Sequence, residues 1–253
     1  MADLQSALFD ALLRLGDNTL ILGHRVSEWC GHAPVLEEDI ALANTALDLI
    51  GQTQLWLGLA AEVEGKGRSA DDLAYLRDAA QFRNLLLVER PNGDFGLTLM
   101  RQFLFDAWHM EALRALMASS DPRIADISGK AAKEVAYHLE RSADLVIRLG
   151  DGTEESHKRM QSALDDLWSY TGEMFIADEV DATVAEAGLM PHPESLRAGW
   201  DAVINDTLAQ ATLKRPEGSF AHKGGKRGVH SEHLGFVLAE MQFLQRAYPG
   251  AVW

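Results

Sequence analysis

Asp106 and His109, three residues apart, and Glu134 and His138, four apart, are the side chains in this sequence that could gather a metal ion. Such spacings put both members of a pair on one helix face, so carboxylate and imidazole can reach the same ion. A dinuclear centre in a helical bundle needs more: a carboxylate from each of two helices and a Glu-x-x-His from each of the other two. That set is incomplete. Asp48-Leu49-Ile50-Gly51 has an acid, but glycine stands where imidazole is needed. In Glu134-Val135-Ala136-Tyr137-His138 a tyrosine takes the third place and histidine comes one residue late. Asp106-Ala107-Trp108-His109 has the spacing with the shorter acid, and no acid lies between Thr19 and Ser27. About half a dinuclear site remains. Asp106, His109, Glu134 and His138 then form either a mononuclear site or, the favoured reading, a buried polar cluster that has lost its metal. Arg101 or Arg141 would neutralise that cluster, because buried charges need partners with or without a metal.

A second constellation is Lys223-Gly224-Gly225-Lys226-Arg227-Gly228-Val229-His230-Ser231-Glu232-His233. It concentrates positive charge on an acidic chain, its glycines let backbone N–H groups approach an anion, and it opens a helix for which Ser231 is the predicted N-cap. Lys223, Lys226 and Arg227 would contact a phosphate-bearing ligand, an acidic partner or the acidic bundle itself, and the partner is the preferred reading. The order of glycines and lysine is not that of a P-loop, and no strand precedes it. Cys30 beside His32 is expected to be a packed thiol rather than a nucleophile.

The elements that must position these groups are helices. Leu36, Ile40, Ala43, Leu47, Ile50, Gln54 and Leu57 recur in steps of four and three, which predicts the core-facing side of a helix. A second row, Leu42, Ala46, Leu49, Thr53, Trp56 and Ala60, flanks it, so this helix is expected at the bundle centre. Before it, a helix runs from Asp3 to about Trp29 and stops near Gly31 and Pro34. Two more follow: Phe95 to about Met117, with Asp94 as N-cap, and Pro122 to about Leu149. These four predict an all-α four-helix bundle over about 3–150. Accessory helices are expected at Glu154–Ala187, broken near Gly172, at Pro193–Leu213 and at Glu232–Tyr248, all within one domain of 1–253.

Composition excludes several classes. With 253 residues, 23 Lys and Arg and 38 Asp and Glu, the net charge is −15, which repels nucleic-acid backbones. The single cysteine forbids an internal disulfide and a multi-thiolate zinc site. No secretory leader and no membrane-spanning stretch are evident, so a soluble cytoplasmic protein is expected.

The segments RLGDNTLILGHRVSEWCGHAP, EEDIALANTALDLIGQ, FRNLLLVERPNGDF, KEVAYHLERSADLVIRLGDGT and GGKRGVHSEHLGFVLAEMQFLQR resemble the C-subunit family of phenylacetyl-CoA epoxidase, from about Leu13 to Trp253. The resemblance implies a ferritin-like four-helix bundle with additional C-terminal helices. It also implies a place in a bacterial multicomponent oxygenase of aerobic phenylacetate breakdown. There a catalytic A subunit holds the di-iron centre and epoxidises the ring of phenylacetyl-CoA with O₂, a reductase subunit passes electrons from NADPH, and a small B subunit assists assembly. The C subunit, with no cofactor of its own, pairs with A as a structural partner. Gly51 and Tyr137 occupy the places where histidines would complete two Glu-x-x-His motifs, so no catalytic residue carries over. A homodimer is expected when the chain is alone. The alternative is a self-sufficient ferritin-like oxidase or iron binder using Asp106, His109, Glu134 and His138.

Overall fold

The computed structural model describes residues 3–218 and 220–251. Among them are ten α-helices, four short 3-10 helices and no strand, so the chain is all-α. In order they are α1 (Leu4–Ser27), α2 (Leu36–Glu64), α3 (Ala70–Tyr75), α4 (Phe95–Leu116), α5 (Pro122–Gly150), α6 (Glu154–Trp168), α7 (Glu179–Glu186), α8 (Arg197–Gln210), α9 (Glu232–Met241) and α10 (Phe243–Ala247). The four long helices fit the ferritin-like class. Asp94 caps α4 by accepting from the Leu97 N–H at 2.9 Å, and Pro122 opens α5 behind Asp121, which accepts from Arg123 N–H at 2.9 Å. Among the described residues no helix is long and apolar enough to cross a membrane.

The chain divides into two compact units, Met1–Pro91 with Lys223–Trp253, and Asn92–His222. The division crosses the expected partition into a core of 3–150 and accessory helices: α9 and α10 go with α1–α3, and α6–α8 with α4 and α5.

In the first unit α1 and α2 form an antiparallel hairpin. The Thr19 and Thr53 hydroxyls meet at 2.8 Å, and Gln5 Nε2 donates to the Val63 carbonyl at 2.6 Å. The helices approach closely because Gly16 faces Leu57 and Trp56, where a Cβ would have no room. The second apolar row of α2, with Leu42, Leu49 and Trp56, is the buried one. The row expected to face the core is mostly outside: Leu36 is 72%, Leu47 69% and Ile40 54% exposed. Close packing against α1 selects the face carrying small residues, Ala46, Thr53 and Ala60, over the face with more large aliphatics. The helix buried almost all round is α1, not α2. Cys30, expected to be packed, is exposed in the turn after α1. Below the hairpin Arg77 clamps the fold. It forms a buried ion pair with Asp17, donates to the Leu73 and Gln81 carbonyls, and lies over the Phe82 ring at 4.3 Å.

In the second unit α4 and α5 are again antiparallel, joined by Ser142 Oγ–H donating to Asp106 Oδ2 at 2.9 Å. Every residue of α4 from Thr98 to Met110 is buried. The buried stripe of α5 is Ile124, Ser128, Ala131, Val135, His138, Ser142 and Val146, at helical spacing. Trp200 of α8 closes this core, its indole N–H donating to the Leu104 carbonyl at 3.1 Å. The expected break near Gly172 is present as a 3-10 turn, Gly172–Phe175.

Candidate functional site

The cluster expected between α4 and α5 is built around Asp106, which is wholly buried. One oxygen accepts from Gln102 Nε2 at 2.6 Å, one helical turn earlier, and the other from Ser142. Burial pushes its carboxyl up to about 6, against the opposing pull of His138, these two hydrogen bonds and Arg141. His109 is equally enclosed, with its ring 5.1 Å from that of Phe105 and stacked on Trp108 at 6.3 Å. Its Nδ1 has no hydrogen-bond partner. Burial, reinforced by His138, pushes its imidazole down to about 3, so the ring is neutral at physiological pH. Of the two arginines expected to neutralise the cluster, Arg141 acts on Asp106, whereas Arg101 donates to Asn92 Oδ1 at 2.6 Å.

Three of the four candidates, Asp106, His109 and His138, are buried, and His138 acts on both of the others, while Glu134 stays half-buried. Both oxygens of Asp106 already accept hydrogen bonds. Among the described residues no three His, Cys, Asp or Glu side chains come together as a metal-binding group. An ion held here would have to share the Asp106 oxygens with the Gln102 and Ser142 hydrogen bonds. The incomplete motifs also sit off the interior: Tyr137 is 56% exposed, Gly51 is exposed and Asp48 half-buried. Leu49 with Gln52 and Val135 with His138 are among the buried pairs three residues apart on those helices. No buried residue of α2 or of α5 carries a carboxylate.

A family model described as "Phenylacetic acid catabolic protein" matches the chain over residues 1–253. The chain belongs to this family. One curated relative, the C subunit of 1,2-phenylacetyl-CoA epoxidase from Escherichia coli (strain K12), is 52% identical over 241 residues, 95% of this chain and 97% of the relative.

In the first unit the basic loop packs against the segment after α3. Gly225 lies so close to the Asn84 carbonyl that an added Cβ would overlap it, and Gly228, at φ +78°, lies equally close to the Ala80 carbonyl. These glycines serve backbone packing rather than the approach of an anion. Ser231 is at the N-cap of α9 as expected, but its hydroxyl makes no capping bond; its backbone N–H donates instead to Glu89 Oε1 at 2.6 Å. A carboxylate of the chain itself thus stands at that helix start. Glu89, wholly buried, also meets His230 Nδ1 at 2.8 Å and Asn84 Nδ2 at 3.0 Å, while His230 Nε2 meets the Phe82 carbonyl at 3.0 Å. Arg25 binds the Glu89 and His233 carbonyls at 3.1 and 3.3 Å. Lys223 and Arg227 remain exposed, and Lys226 is half-buried. The Glu89 network joins residues more than a hundred positions apart, and no local spacing announces it; nor does any announce the Asp17–Arg77 pair.

Proposed function

We propose that this chain is the structural, non-catalytic C-type subunit of a ring 1,2-phenylacetyl-CoA epoxidase, supporting a di-iron catalytic A subunit in aerobic phenylacetate catabolism. A small B subunit and a reductase complete the complex, and the chain itself carries no cofactor. The same reading places it in the cytoplasm and has it pair with itself when expressed alone. Family membership and the 52% identity to the C subunit of an epoxidase support the assignment to the complex. One observation carries the non-catalytic half: neither α2 nor α5 has an Asp or Glu among its buried residues. Asp106, buried on α4, has both oxygens engaged by Gln102 and Ser142.

The test is to purify the chain alone and with a catalytic A subunit of the family, then measure iron and phenylacetyl-CoA oxidation for each. The chain alone binds no stoichiometric iron and oxidises nothing, and the pair is active. About two irons on this chain after reconstitution, the complement of a ferritin-like di-iron site, would instead establish a self-sufficient oxidase or iron binder.

A further inference from the structure

Isolated exposed leucines are ordinary on protein surfaces, but an aligned row of them is not. Leu36, Ile40, Leu47 and Ile50 lie on the outer face of α2, 72%, 54%, 69% and 36% exposed. Their steps of four, seven and three keep them on one line, about 21 Å long at the rise of an α-helix. Gly51 lies beside this row, exposed, and a Cβ there would meet nothing within 4 Å. Glycine weakens a helix interior and persists where a backbone must come close. Among the described residues, none uses the room at Gly51.

Charge decides what does. Within Leu36–Glu64 the acids are Glu37, Glu38, Asp39, Asp48, Glu62 and Glu64, and there is no Lys or Arg. Glu64 is paired with Lys66 and Arg68, so the acids beside the row are those of the first turn, Glu37, Glu38 and Asp39, with Asp48, and a second copy seated on the same face would set them against one another. The complement of this face is an apolar helix flanked by Lys or Arg.

We propose that the outer face of α2 seats such a basic-flanked apolar helix of another subunit, packed closely over Gly51, and not a second copy of this chain. The inference rests on the partner-subunit reading above. The affected side chains are outside the core, so substitutions there leave folding intact, which thermal melting checks. Binding is measured between the full chain and a catalytic A subunit of the family. Leu47→Asp and Gly51→Leu each weaken it by at least about tenfold, as loss of a central contact does. Glu37→Lys weakens it at low salt, and the difference shrinks at roughly 0.5 M salt, where surface charges are screened. If the wild-type chain binds and all three variants bind equally well, this face is not the interface and the partner reading stands. A wild-type homodimer that Leu47→Asp turns into a monomer would assign the face to a second copy and overturn the proposal. A wild-type chain with no affinity for the A subunit removes the partner reading and this inference with it.

Discussion

Both units of this protein bury carboxyl groups, and they compensate them differently. In the first, Asp17 meets the Arg77 guanidinium, and Glu89 meets His230, Asn84 and a helix N–H. In the second, Asp106 has only an amide and a hydroxyl as direct partners, and burial raises its pKa instead. The first solution ties remote segments together and fails badly when one partner is removed. The second ties α4 to α5 through a neutral hydroxyl and responds to pH.

The largest effect should follow from breaking the clamp. Arg77→Met strands Asp17 in the interior and is expected to cost about 3–5 kcal/mol in urea unfolding, whereas Asp17→Asn with Arg77→Met recovers most of that loss. Equal destabilisation by the single and double changes would show that the pair is not what Arg77 contributes.

Asp106→Asn sharpens the contrast through pH. The folded pKa of Asp106, about 6, lies above its ordinary value of 3.8. Its stabilising contribution is therefore complete below 3.8 and is lost as pH rises through 6. His109 slopes the other way: with a folded pKa of about 3 against 6.5, its contribution is present above 6.5 and is lost as pH falls toward 3. The two oppose each other between about pH 4 and 6 in the wild type. Relative to wild type, Asp106→Asn should gain on the order of 3 kcal/mol between about pH 4 and 7, measured by denaturation at each pH. A pH-independent difference would contradict the raised pKa.

Glu89→Gln removes charge-assisted hydrogen bonds to the basic loop and should cost about 2 kcal/mol. Trypsin should then cut sooner after Lys223 and Arg227, and unchanged cleavage would argue against the latch. The smallest effect is expected at an exposed place on α5. Tyr137→His should change stability by less than about 0.5 kcal/mol and recruit no iron, since the new imidazole faces solvent. Iron uptake by that variant would return the residue to a metal site.

Ends of the long helices are legible where local chemistry sets them, as with Asp94 capping α4 and Pro122 opening α5, whereas α6 and α8 stop at Trp168 and Gln210, short of the expected Gly172 and Leu213. The capping box of Ser69 and Asp72 is an equally local signal for α3, a helix too short for apolar periodicity to mark. The face of α2 is not legible from periodicity. Two neighbouring rows both read as apolar, and only the small residues of one mark where α1 approaches. The same ambiguity puts Gly51 and Tyr137 on the surface rather than inside. Within the candidate cluster, spacing finds the buried Asp106, His109 and His138, but it also includes the half-buried Glu134. Pairs such as Asp17 with Arg77 depend on tertiary approach and leave no trace in spacing.

The loop that carries His230 belongs to a unit whose other half ends at Pro91. During synthesis the whole of Asn92–His222 must therefore emerge before Glu89 can meet its imidazole. Until then a carboxylate destined for full burial has to remain in water or on a chaperone, and the segment up to Pro91 cannot close as a finished body. The order of translation is thus the reverse of a simple N-to-C assembly: the inserted unit has all of its sequence first. A chain stopped short of His230 would lack the latch of the beginning, not only the end.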